Sequence, residues 1–289
     1  MPANDTTRTE NDAVIQIAQE AARAQAAPVA VQPGSMYAFP TADGYKLLDL
    51  DNDGYTDRLP APQRKRGITT VEDIDSFLTY YAKHADANTE TYVDVDSRRI
   101  TAVLNAHSPD GPRWGDHRLV LELKCTRAWL EWTRFDRKPL TQQEFAEHIE
   151  NHLDDIIEPQ PAQMLEIATT FQAKQKVSFS SATRLSSGDV NIAWEETTDA
   201  TAGSKGQLKV PTEFKIAVVV LELPVPEGED PTVHGLQARF RYRIDRGNLQ
   251  VSYLLAKPEA VLRDAVLAVV GQVEKALETQ VLRGTPASA

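Results

Sequence analysis

The densest run of hard oxygen ligands in the sequence is Asp49-Leu50-Asp51-Asn52-Asp53-Gly54-Tyr55-Thr56-Asp57. Asp49, Asp51 and Asp53 alternate, Gly54 permits a tight turn, Tyr55 offers a main-chain carbonyl and Asp57 falls at the ninth position. Loops of this kind gather calcium, which takes carboxylate and carbonyl oxygens. The twelfth position calls for a bidentate glutamate and holds Pro60 instead. No clear pair of helices flanks the loop. A solvated turn rich in Asp and Asn is therefore the favoured reading, with calcium as the candidate cofactor and no other cofactor expected.

His148 and His152 are four apart on a helical segment, close to Glu144 and Glu147. Such spacing suits a transition metal. The order "HIENH" does not place a glutamate where a zinc protease needs its base. Ile149 and Leu153 occupy the apolar side, so both histidines are expected on a solvated polar flank.

Two basic features follow. Arg64, Lys65 and Arg66 form a triplet. Arg239, Arg241 and Arg243 alternate with Phe240, Tyr242 and Ile244 along a strand-like segment. Three guanidinium groups on one strand face can follow phosphates or meet carboxylates of a neighbouring strand or subunit. The acidic balance of the chain favours the second. Trp114, Trp129, Trp132 and Trp194 are candidates for a stacking surface. Trp129 and Trp132, three apart on a helix, are expected to pack into a core or interface. No phosphate-binding glycine loop, nucleophile elbow or oriented Cys/His pair is present, so no catalytic residue is assigned and no enzymatic activity is expected.

These residues must be carried by a scaffold that the periodicities outline. Residues 1–33 read as a flexible arm with a short amphipathic helix over 10–26, ended by "AAPVAVQPGS". Residues 34–280 read as one domain and 281–289 as a flexible tail. Within the domain, 34–67 look irregular and 68–83 helical, with Thr69 or Thr70 as the cap. Helices follow at 126–135, from Thr141, near 162–172 and over 260–278. "TQQE" is a capping box, and the helix from Thr141 has Phe145, Ile149, Leu153, Ile156 and Ile157 as its apolar face. Period-two patterning places strands at 91–95, 99–106, 117–125, 176–183, 189–196, 213–223, 236–244 and 249–255. The expected class is α+β, a mostly antiparallel sheet with flanking helices and a C-terminal helix.

Bulk properties bound the function. The 289 residues carry a formal net charge of −11, which disfavours whole-surface binding to DNA or anionic lipid. The single cysteine, Cys125, forms no intramolecular disulfide and reads as a small buried hydrophobe. No apolar run reaches the length of a membrane span, and the polar, acidic start is unlike a signal peptide. The cytoplasm of a bacterial host is the expected compartment.

The segments "LPAPQRKRGITTVEDIDSFLTYY", "TYVDVDSRRITAVLN", "GDHRLVLELKCTRAW", "LTQQEFAEHIENHLDDI" and "PTEFKIAVVVLELP", with the arginine-rich hairpin, occur in an order that resembles the YfdQ-like proteins of phages and prophages. That family has no established catalytic residues. The resemblance implies a phage-encoded protein that assembles with itself into a homo-oligomer, with a closed shell-like particle separate from the virion capsid as one form. The alternative is a nucleic-acid-associated accessory factor in phage replication or recombination. For self-assembly, the cationic strip would meet Glu144, Glu147, Glu150, Asp154, Asp155 and Glu158 of another copy.

Overall fold

A computed structural model describes residues 12–19, 35–41, 44–50, 59–184, 190–202, 208–225, 227–245 and 248–287, with backbone alone at 39–41, 173–184, 190–201 and 245. The chain divides into two compact units, Met1–Lys65 and Arg66–Ala289.

In the first unit, residues 12–19 form helix α1. The segment read as irregular contains a hairpin, β1 (Met36–Thr41) and β2 (Gly44–Asp49). Gly44 holds a φ of 126°, a backbone that side-chain-bearing residues rarely adopt. Pro40 lies within β1, a strand of a two-stranded sheet, where a missing donor is tolerated.

The second unit is built on two five-stranded sheets. Its first sheet runs β14-β4-β5-β6-β3. The strands are β3 (Gly67–Val71), β4 (Glu90–Asp94), β5 (Arg99–Val103), β6 (His117–Glu122) and β14 (Leu282–Arg283). The pairs β3–β6 and β14–β4 are parallel, and the others are antiparallel. Residues 68–71, expected at the start of a helix, lie in a strand because Ile68-Thr69-Thr70-Val71 is a β-branched run suited to a sheet edge. Helix α2 (Ile74–His84) begins later, capped by Asp73, whose carboxylate accepts from Ser76 N at 2.7 Å. Residues 282–283, expected as tail, pair with Tyr92 and Val93. Val281 is buried, and Arg118 bonds the carbonyl of Ala287.

The second sheet runs β7-β13-β12-β11-β8 and is antiparallel throughout. It contains β7 (Leu140–Thr141), β8 (Ile156–Glu158), β11 (Glu213–Val219), β12 (Val233–Asp245) and β13 (Asn248–Leu255). β9 (Gln172–Arg184) and β10 (Val190–Thr201) form a separate long ribbon. The single sheet expected from the alternation is thus several, because alternation records one buried face and carries no information on which strands are neighbours. The α+β class and the antiparallel majority hold.

The two large sheets touch where the chain beyond β6 meets the chain beyond β11. Cys125 bridges Leu221, Thr126 N donates to Val220 O at 3.0 Å, and Glu222 N donates to Lys124 O at 2.8 Å. Helix α3 (Arg127–Phe135) starts from this junction, capped by Thr126. Helix α4 (Gln142–Asn151) opens with the capping box of Thr141 and Glu144. A 3-10 turn (Leu153–Asp155) and β8 follow, so the helix expected to continue to Ile157 ends a turn and a half earlier. Helix α5 (Pro161–Thr170) precedes the ribbon. Helix α6 (Pro258–Leu277) buries Ala265, Val266, Val269, Val270 and Val273, a stripe of helical spacing. One apolar cluster joins Phe77, Leu119 and Leu121 of the first sheet's side to Trp132, Phe145, Phe214 and Tyr253 of the second's.

Candidate functional site

Trp132 is fully buried on α3, and side chains from four elements converge on it. Its indole Nε1 donates to Asp155 of the 3-10 turn at 2.8 Å. His148 of α4 and His152, the residue that ends it, lie edge-on to its ring at 4.6 and 5.5 Å between centroids. Tyr253 of β13 stands at 5.4 Å and Phe214 of β11 at 6.1 Å. Aromatic rings prefer such edge-to-face arrangements because positive ring edges meet negative faces.

The backbone reinforces this grouping. Arg137 N donates to Tyr253 O, and Leu255 N donates to Asp136 Oδ1, each at 2.8 Å. The end of α3 is therefore tied to β13, which holds Trp132 against Tyr253.

The expectation that both histidines lie on a solvated flank is overturned. His148 is 5% exposed and His152 8%. Positions 145, 148, 149 and 152 form an i, i+3, i+4, i+7 stripe. That stripe was legible in the sequence, but the imidazoles were assigned to the polar side by residue type. Each finds partners, as buried polar groups require. His148 Nε2 lies 3.2 Å from the Tyr253 hydroxyl. His152 Nδ1 lies 2.8 Å from His148 O, and its Nε2 lies 3.1 Å from Glu131 Oε2.

Burial, helped by the neighbouring His152, pushes the His148 imidazole down to about 4. Burial pushes the Tyr253 phenol well above its ordinary value, with Asp136 adding to the shift. A bond from Arg127 Nε at 2.8 Å holds the Glu131 carboxyl below the usual carboxylate range. His148 Nε2 and both His152 nitrogens meet separate partners, and among the described residues no three His, Cys, Asp or Glu groups converge as a metal site.

A second feature is an open cleft of about 650 Å³ at the junction of the sheets. Arg98, Lys124, Cys125, Trp129, Leu130 and Glu222 line it. Cys125 was expected to be buried and is partly exposed here, because the strand ends before it and leaves its side chain on the cleft wall. Burial still raises its thiol. Arg98 adopts a left-handed φ of 56° in the turn between β4 and β5, and its buried Nε has no hydrogen-bond partner among the described residues.

The other sequence candidates are dispersed. Asp49 ends β2, whereas Asp51, Asp53, Tyr55 and Asp57 lie outside the described residues. Arg64 is half-buried and Lys65 and Arg66 are exposed, just before β3. Arg239, Arg241 and Arg243 lie on the exposed side of β12, whose alternate residues Leu236, Ala238 and Phe240 are buried. Arg239 pairs with Glu213 at 3.7 Å, and Arg243 donates to Gln250 at 2.8 Å. Arg241 faces Ser252 and makes no ion pair among the described residues. Of the acidic strip, Asp155 is taken by Trp132, Glu144 by the capping box and Glu158 by Lys215. Glu147, Glu150 and Asp154 remain exposed. Trp129 is buried, Trp114 is exposed, and the side chain of Trp194 is outside the described residues.

An α+β protein with a buried histidine–aromatic centre and an exposed arginine strip is the class these features define. The chain belongs to DUF2303, described as an uncharacterized conserved protein family, whose model matches residues 9–286. No curated protein and no solved structure matches it. Among the described residues, no helix is long and apolar enough to cross a membrane.

Proposed function

We propose that the chain is a non-enzymatic, phage-encoded protein that assembles with copies of itself, in the cytoplasm of the bacterial host, into a closed shell-like homo-oligomer distinct from a virion capsid. One observation carries the reading: the first unit displays apolar side chains on elements too small to stand alone. In α1, Val14, Ile15 and Ile17 are 54–66% exposed. On the hairpin, Met36 and Ala38 of β1 and Tyr45 and Leu47 of β2 share one face, with Ala38 opposite Leu47, and all four are exposed. Among the described residues α1 spans about two turns and the hairpin has two strands, and elements of that size are marginal in water without a partner. A second copy supplies the same surface, and closed symmetry is the usual result of such pairing. The resemblance in segment order to YfdQ-like proteins supports the phage origin.

Light scattering and electron microscopy on the purified full chain test this. A large particle is expected, weakened by deleting residues 1–33. A monodisperse 32.0 kDa monomer at micromolar concentration overturns it. Loss of a hydrolytic or transfer activity on His148→Ala would overturn the non-enzymatic part.

A second reading, a nucleic-acid-associated accessory factor, draws on the exposed Arg239, Arg241 and Arg243. DNA retention that weakens with salt and with Arg241→Glu would favour it. Particle formation without DNA, also sensitive to Arg241→Glu, would instead place the strip between copies.

A further inference from the structure

We propose that the outer edge of β3 pairs with the same edge of a second copy, antiparallel about a two-fold axis at Thr69, so that the first sheets of two copies run on into one. The proposal deepens the self-assembly reading and rests on it, though not on α1 or the hairpin.

β3 ends its sheet, and among the described residues β6 is the one strand paired with it. Gly67 N donates to Asp116 O at 2.8 Å, which fixes the parity of the ladder. In a parallel pair every second residue bonds the neighbouring strand. Gly67, Thr69 and Val71 therefore turn their main chain to β6, while Ile68 and Thr70 turn their N–H and C=O outward. Both outward residues are exposed, Ile68 by 68%. Open edges are ordinarily guarded by a charge, a proline or a bulge within the strand. Gly67–Val71 contains no charge and no proline, and its register with β6 is unbroken.

The charges stand at the two ends instead. Arg66 closes the basic triplet before the strand, and Glu72 follows it, with a side chain 66% exposed. A copy laid alongside in parallel would set like charges together. An antiparallel copy sets opposite charges together. With Ile68 opposite Thr70 of the second copy, each outward residue exchanges both of its main-chain bonds across the axis. Thr69 then faces Thr69 of the second copy, and Arg66 comes beside Glu72 of the second copy, once at each end. Opposite charges across antiparallel strands stabilise the pair and fix its register. Glu72 also meets Lys124 of its own chain at 2.5 Å, and a carboxylate has acceptor sites for both cations.

Cysteine bridging in the full chain tests the register. Thr69→Cys and Ile68→Cys are each made with Cys125→Ser and oxidised mildly. Residues facing across the axis without mutual main-chain bonds have Cα atoms about 4.5 Å apart, within disulfide range. Thr69→Cys should give a covalent dimer. Ile68→Cys should not, although residue 68 is the more exposed, because two copies of residue 68 stand farther apart than the roughly 7 Å limit. Light scattering tests the charges. Arg66→Glu and Glu72→Lys should each raise the concentration needed for assembly by about tenfold, since each turns two attractions into two repulsions. The double variant should return it to within about threefold. Loss of the Lys124 contact affects Glu72→Lys and the double variant alike, so recovery cannot come from that contact. Absence of the Thr69 bridge, equal bridging at both positions, or a double variant no better than the single ones overturns the proposal. A particle that persists through such a result leaves self-assembly standing with this interface rejected, whereas a monomeric parent protein rejects both. If Thr69→Cys does not fold, the charge series decides.

Discussion

The phenol of Tyr253 gives its hydrogen to the main-chain carbonyl of Trp132 at 2.7 Å, and the two rings meet edge to face. This bond ties β13 to α3 at the centre of the second sheet's core. Tyr253→Phe keeps the ring and removes the hydroxyl. It deprives the Trp132 carbonyl and the His148 Nε2 of the hydroxyl they share in a buried site. The expected loss is about 1–3 kcal/mol in urea unfolding, the usual cost of orphaned buried polar groups. An unchanged midpoint would contradict the assigned bond.

His148 makes stability depend on acid. Its ordinary value of 6.5 is lowered to about 4 in the fold. Between those values the unfolded chain takes up a proton that the folded ring refuses. Stability from this residue is therefore complete above about pH 6.5, falls as the pH drops and bottoms out below about 4, with a loss on the order of 2–3 kcal/mol. Urea midpoints at several pH values across that window check it. His148→Phe should flatten this part of the profile, and a parallel profile would reject the assignment.

Thr141 and Glu144 cap α4 reciprocally: Thr141 N donates to Glu144 Oε2 at 2.8 Å, and Glu144 N donates to Thr141 Oγ1 at 3.2 Å. Thr141→Ala should cost about 1 kcal/mol, and Thr141→Ser should recover most of it. Thermal melts of both variants measure this. Equal effects of the two would show that the hydroxyl is not the stabilising group.

Calcium is expected to leave the melting temperature unchanged, because Pro60 stands where the loop would need a bidentate carboxylate. A calcium-dependent rise that Asp51→Ala abolishes would make the Asp49–Asp57 segment a cation site instead.

Much of the secondary structure was readable locally. The "TQQE" cap, the proline at the start of α6 and the alternation of Leu119 and Leu121 are each set by neighbours a few residues away. Failures arose where long-range pairing decided the outcome. Ile68–Val71 became a strand because β6 offered a parallel partner, and Leu282–Arg283 because β4 had an open edge. The histidine site was missed for a related reason. His148 and His152 stand on the inward stripe of α4, but imidazole is polar and is expected inside only when partners await it. Those partners come from residues 131 and 253, which are remote in sequence from the histidine that each one meets.

The sequence alone determined the class, the Thr141–Glu144 capping box, the acidic balance and which faces of the strands and the last helix turn inward. These depend on residue type and periodicity, which act within one element. Tertiary structure alone decided how many sheets form, which strands neighbour one another, and that Trp132, His148, His152, Glu131 and Tyr253 meet. Burial brings distant donors and acceptors together and withholds water from them. The low proton affinity of His148 is then set by its surroundings, and residue type alone does not give it.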